Sequence, residues 1–232
     1  MTHAVIVAGH AIFKGGDPGH DDAWVLLPFQ RGESPCYVEH IRCGVEIAAQ
    51  DPAALLIFSG GPTRAEAGPR SEAESYIQVA EHYQWWGQED VARRTAAEEF
   101  ALDSYENLLF SLCRFHELTR TWPARVTLVS WRFKEQRFGL HRAAVRWPES
   151  RFAYIGPNDP VDLIQAQAAE ALTRAAYAND PYGASPELRA KKEARNPFRR
   201  QHDYAATSPA LAALLAHAGP QEFAGSLPWH LS

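Results

Sequence analysis

Cysteine is scarce in this 232-residue chain: there are three, Cys36, Cys43 and Cys113, an odd number with no CxxC spacing. That pattern argues against a disulfide framework and a zinc site, and it fits the reduced thiols of an intracellular protein. Long apolar runs are also missing. No stretch reaches the ~18–20 residues needed to span a bilayer, and no basic n-region precedes the first apolar segment after Met1-Thr2-His3. The expectation is a soluble, cytoplasmic chain with no membrane partner. The formal charge is only −5, and Lys and Arg form no stripe of the kind that tracks a phosphodiester backbone, so nucleic acid is not the expected ligand. Common fingerprints are absent as well: GxGxxG after the first apolar run, GxxxxGK(S/T), GxSxG and HExxH.

What the chain does have is a 46% apolar composition, enough at this length for a large core in one domain spanning 1–232. Ala4-Val5-Ile6-Val7-Ala8, ending in Gly9-His10, is a short all-apolar run of the type found in parallel strands covered on both faces. A Gly-, Asp- and His-rich loop follows to about residue 32. Val38, Ile41, Val45 and Ala49 then recur at helical spacing until Asp51-Pro52. Leu55 to Ser59 reads as the next strand, followed by a helix that Ser71 caps and Glu74 reinforces. Leu108, Leu109, Leu112 and Phe115 form a helical stripe after Asp103, and Val126 to Ser130 is a third strand. A helix over 133–145 and a fourth strand, Phe152-Ala153-Tyr154-Ile155, complete the alternation. This order predicts an α/β, Rossmann-like three-layer fold with a mostly parallel central sheet. Residues 179–208, interrupted by prolines and dense in Lys and Arg, read as an irregular basic segment. It forms either a solvated face or a tail that brings Lys192 or Arg195 to a pocket rim.

Ligands of open α/β sheets bind beyond the carboxyl ends of the strands, so those junctions supply the candidate site. Ser59-Gly60-Gly61 offers backbone N–H groups that could approach an anion, with Thr63 and Arg64 just beyond; Lys134 and Arg137 follow Ser130 on one helix face. Two cations at a helix N-terminus oppose the macrodipole, which calls for a compensating partner. A bound anion is the preferred one, and a carboxylate such as Glu72 or Glu106 the structural alternative. Glu72 and Glu106 are the candidate proton-handling residues, although both also sit where a helix dipole or a capping box would place an acid. Asp17, His20, Asp21 and Asp22 crowd one loop that could hold a divalent cation, or could simply be solvated.

Several longer runs resemble one family. Gly9-His10-Ala11-Ile12-Phe13-Lys14-Gly15-Gly16, Phe58 to Arg64, Ser71-Glu72-Ala73-Glu74-Ser75-Tyr76, Asp103 to Phe110, Phe133 to Phe138, Asp180-Pro181-Tyr182-Gly183 and Arg195-Asn196-Pro197-Phe198 together resemble the DUF218 family of YdcF-, SanA- and ElyC-like proteins, in its soluble fungal-type branch. The resemblance implies a Rossmann-like fold with its site at the strand ends. Through the relatives, it also implies S-adenosylmethionine as a possible ligand. Where bacterial members often place a His and an Arg after the third strand, this chain has Lys134 and Arg137, which keeps positive charge there but not a His-based mechanism.

Two functions are expected on this basis. The first is a hydrolase or transferase for a phosphorylated or nucleotide-like small molecule. Gly9, His10, Lys14, Ser59, Gly60, Gly61, Thr63, Arg64, Ser104, Asn107, Ser130, Lys134 and Arg137 would bind the anionic substrate, and Glu72 or Glu106 would move a proton. The second is a non-catalytic binding protein for a nucleotide-like ligand such as S-adenosylmethionine.

Overall fold

Five parallel strands carry the architecture of the computed structural model, which describes residues 1–230. They are β1 (His3–Ala8), β4 (Ala54–Ser59), β5 (Thr95–Glu98), β6 (Arg125–Val129) and β7 (Phe152–Ile155), side by side in the order β5-β4-β1-β6-β7. A small antiparallel hairpin, β2 (Ile12–Phe13) with β3 (Trp24–Val25), occupies the Gly-rich loop. The helices between strands are α1 (Ser34–Ala49), α2 (Glu72–His82), α3 (Glu89–Ala92), α4 (Ser104–Thr119) and α5 (Glu135–Ala144). Beyond β7 come α6 (Leu163–Asn179), α7 (Pro186–Ala194), α8 (Tyr204–Thr207) and α9 (Ala212–Leu215).

The apolar strands are central because both of their faces are covered. In β1, Ala4, Ile6 and Ala8 join a core with Leu108, Leu112 and Phe115 of α4 and Phe138 of α5. Val5 and Val7 point the other way, to Tyr37, Ile41 and Val45 of α1 and Tyr76 and Val79 of α2. Every residue of β1 and β4 is buried, whereas the edge strand β7 alternates between partly buried and exposed positions. Gly44 lets α1 close onto the sheet, since a Cβ there would lie 2.3 Å from Val7 Cγ2. The result is a Rossmann-like three-layer α/β fold.

Local signals set the helix starts. Ser71 Oγ accepts from the Glu74 N–H at 2.9 Å, and Asp103 Oδ1 accepts from the Glu106 N–H at 2.8 Å. Two expectations need correcting. The sheet has a fifth strand, β5, whose Thr-Ala-Ala-Glu sequence has neither an apolar run nor aromatic residues to announce it. The basic segment is also less irregular than its prolines suggest. Ser185 caps α7, whose Lys192 turns toward Asp103 and Glu106, and Arg195 just beyond it donates to the Leu102 carbonyl.

Chain order places the topological switch between β1 and β6. After β1 the chain runs outward through β4 and β5, then crosses back to β6 and β7 on the other side of β1. A crevice therefore opens beyond the carboxyl ends of β1 and β6.

Candidate functional site

A cavity of about 540 Å³ fills that crevice. It is lined by the segments following β1, β4, β5 and β6, by the loop before α1, by one face of α6, and by Arg195 just beyond α7.

Its floor is a serine–histidine contact across the switch. His10 Nε2 is 3.2 Å from Ser130 Oγ, and the His10 ring stacks on Trp131, with centroids 5.7 Å apart, and meets the edge of His40. Gln30 Nε2 donates to the His10 carbonyl and Tyr76 Oη accepts from the His10 N–H, so the residue is held at both backbone groups. Burial, helped by the charges of Lys134 and Arg137, keeps the imidazole well below its usual basicity, hence neutral with one nitrogen free to accept a proton.

Glu72, at the start of α2, forms a second wall. Its Oε1 accepts from Thr63 Oγ1 at 2.5 Å, and burial raises its carboxyl above the usual range. The neighbouring glycines exist to make room for it. A Cβ on Gly9 would fall 2.5 Å, and one on Gly60 2.6 Å, from Glu72 Oε2. This corrects the expected anion cradle. The Gly60 and Gly61 N–H groups donate to the carbonyls of Glu98 and Ala101, so they are spent on fold rather than offered to a ligand. Ser59 is likewise internal, its Oγ donating to Glu98 Oε2 at 2.7 Å. Neither Ser59, Gly60 nor Gly61 lines the cavity, and Lys14 is exposed on the β2–β3 hairpin away from it.

Basic groups supply the rest of the lining. Arg64, Lys134, Arg137 and Arg195 all face the cavity. Arg195 arrives as one reading of the tail predicted, with its Nη1 donating to the Leu102 carbonyl at 3.0 Å. Arg137 is paired, but with neither carboxylate proposed for it: Nη2 lies 3.0 Å from Glu170 Oε2 on α6. Arg137 Nε and Glu170 Oε1 are buried without hydrogen-bond partners. Lys134 has no ion-pair or hydrogen-bond partner among the described residues, and its Nζ lies over the Phe133 ring, 5.6 Å from the centroid. Burial, reinforced by Arg137 and Arg195, pushes its ammonium down.

Glu106 takes a structural part. It is absent from the lining; its Oε2 accepts from the Leu102 N–H at 2.8 Å and its Oε1 sits 3.2 Å from Lys192 Nζ. Burial and the adjacent Asp103 raise its carboxyl. The pair ties α7 to the start of α4. Ser104 and Asn107 do line the cavity, but both have internal duties. Ser104 Oγ contacts His141 Nε2 at 2.7 Å, and Asn107 Nδ2 donates to Ser59 O and Oγ at 3.0 Å.

Reading the sequence missed Glu170, Glu33 and Trp131 as lining residues. For Glu170 a signal existed: Ala166, Glu170, Thr173 and Tyr177 share one helical stripe, and an acid on a stripe with a buried tyrosine asks for a partner. The Asp17–Asp22 loop is spent locally. Asp21 accepts from Ser34 Oγ and the Gly32 N–H, and His20 pairs with Asp17 in solvent. Among the described residues, no three His, Cys, Asp or Glu side chains converge as a metal-binding group, and no helix is long and apolar enough to cross a membrane.

Compared with known proteins, the chain matches no family model and no solved structure. It is similar to a Saccharomyces cerevisiae protein described as the uncharacterized protein YOR238W, with 28% identity over 262 aligned positions covering 87% of this chain and 86% of that one.

Proposed function

We propose that this protein is an enzyme, a hydrolase or transferase, acting on a phosphorylated or nucleotide-like small molecule bound at the carboxyl ends of β1 and β6. The observation that carries the reading is the meeting, in one cavity, of four basic side chains with a neutral His10 against Ser130 Oγ and a buried Glu72. Guanidiniums suit phosphate because their donors match its oxygens two at a time. Moving a phosphoryl group then needs chiefly positioning and charge neutralisation, with a proton acceptor on one side and a donor on the other. His10 Nε2 supplies the acceptor, toward Ser130 or a water beside it. The Glu72 carboxyl, whose hold on a proton burial strengthens, supplies the donor. The proposal includes membership of the DUF218 family, to which the sequence patterns point.

A second reading draws on the Arg137–Glu170 pair. A wall with both signs of charge suits a zwitterion, and S-adenosylmethionine held without turnover is the alternative.

The test is a thermal-shift screen of phosphorylated metabolites, nucleotides and S-adenosylmethionine, with and without divalent cations, followed by product analysis of each hit. A ligand at about 100 times its dissociation constant adds about 2.7 kcal/mol. Phosphorylated hits that are consumed support the enzyme, and a shift without product supports the binding protein. If no anionic compound shifts the wild type, or if Arg64→Ala and Arg195→Ala leave the shifts intact, the cavity is not an anion site.

A further inference from the structure

The chain has four lysines, and three are accounted for. Lys14 is exposed on the hairpin, Lys191 pairs with Glu187 at 2.7 Å, and Lys192 lies 3.2 Å from Glu106 and 3.9 Å from Asp103. Lys134 alone lines the cavity, and among the described residues it has no partner. The other basic groups there, Arg64, Arg137 and Arg195, are guanidiniums, which hold their charge under all working conditions and cannot act as nucleophiles. A phosphate is served by those three. The amine among them has chemistry that they lack.

We infer that Lys134 is a nucleophile that forms a Schiff base with an aldehyde or ketone whose phosphate is held by Arg64, Arg137 and Arg195. The inference rests on the proposed reading of the cavity and narrows its substrate to phosphorylated carbonyl compounds, which favours a transferase over a hydrolase. Three features of the site support it. The amine sits at the N-terminus of α5, where the helix dipole disfavours its protonated form. Burial and two neighbouring guanidiniums act in the same direction and outweigh the opposing carboxylates of Glu170 and Glu33. Acid–base partners for the two proton movements line the same cavity.

The step balances without another reactant. The Nζ lone pair attacks the carbonyl carbon, an N–C bond forms as the C=O π bond breaks, and a proton leaving Nζ reaches the new oxygen by way of His10. The Glu72 carboxyl then protonates the hydroxyl, which departs as water while the nitrogen lone pair closes the C=N bond. Glu72 is left ionised and the substrate is joined to Lys134 as an iminium ion.

The experiment uses the full chain, pyridoxal 5′-phosphate as the phosphorylated aldehyde, and sodium cyanoborohydride at neutral pH, read by intact mass and peptide mapping. One reduced adduct on Lys134 is expected. Pyridoxal without the phosphate should react about tenfold more slowly, and excess glycerol 3-phosphate should protect. Lys134→Arg should keep the melting temperature and lose the adduct, with Lys134→Met as the second variant if the arginine does not fit. An adduct spread over Lys14, Lys191 and Lys192, or none on Lys134, overturns the inference. If Lys134 stays unmodified while glycerol 3-phosphate still raises the melting temperature of the wild type but not of Arg195→Ala, the anion reading stands and only the imine falls. If neither reaction nor shift is seen, both fall.

Discussion

Replacing Arg137 by Ala removes half of an ion pair whose side chains are 12% and 7% exposed and 3.0 Å apart. Breaking a buried pair from one side leaves an uncompensated charge and costs about 3 kcal/mol, which for a chain of this size lowers the melting temperature by roughly 6–12 °C. The deficit should depend on pH. Burial already raises the Glu170 carboxyl, while Arg137 and Lys134 hold it down. Without Arg137 the folded-state value rises further above the unfolded one, so the folded variant binds a proton more readily and loses stability as pH increases through that value. The loss should be small near about pH 5 and full near about pH 8, where an unfolded glutamate is ionised. Urea titrations of the wild type and Arg137→Ala at both values give the measurement. The double variant Arg137→Leu with Glu170→Leu should recover at least half of the loss, because apolar replacements of a buried pair bear no desolvation cost. Equal stability of Arg137→Ala and the wild type at the higher pH, or an equal deficit at both, would refute the assignment of Glu170 as the partner.

Gly61→Val should destabilise the protein before any ligand is added, by about 1–3 kcal/mol, because a Cβ there already sits 3.2 Å from the carbonyls of both Glu99 and Ala101. An unchanged melting curve would return the turn to candidacy as a ligand cradle. Burial pushes the Glu98 carboxyl up to about 7 despite donors from Ser59, Tyr204 and two backbone N–H groups. Wild-type stability should therefore fall as pH rises from the unfolded glutamate range toward that value, and Glu98→Gln should flatten the slope in urea midpoints; parallel slopes would show that the carboxyl does not titrate there. Glu106→Gln should release α7 and speed tryptic cleavage at Lys191 and Lys192, whereas an unchanged digestion pattern would mean that the Lys192 pair does not hold the helix.

Short apolar runs made β1, β4 and most of β6 legible in the sequence because a strand buried on both faces has no polar alternation to confuse the reading, while the edge strand β7 was legible from its aromatic and β-branched residues, Phe152, Tyr154 and Ile155. β5 was hidden since Thr95-Ala96-Ala97-Glu98 gets its place from pairing with β4, not from its own composition. The strand-end logic located His10, Thr63, Arg64, Glu72, Ser130, Lys134 and Arg137, all of which line the cavity. It misread Gly60 and Gly61, because a glycine turn looks the same in sequence whether its N–H groups face a ligand or the next strand. Arg137 shows the same limit in its energetics. Read alone, cations at a helix start predict unchanged or improved stability on removal, and Glu170, 33 residues on, reverses the sign. Pairings at that separation depend on how α6 returns over the sheet, which no local pattern encodes.

The central position of β1 has a consequence for how this chain is made. Its six residues leave the ribosome well before the partners that cover its two edges, β4 and β6, which begin at Ala54 and Arg125. At elongation rates of about 5–20 residues per second, one edge of a strand apolar from Ala4 to Ala8 waits on the order of 10 s for its second neighbour. An unpaired edge of that composition is a template for pairing with other nascent chains. Yield in a cell should therefore rise with holdase chaperones, and fall when elongation is slowed at constant temperature, more than the stability of the finished fold would suggest.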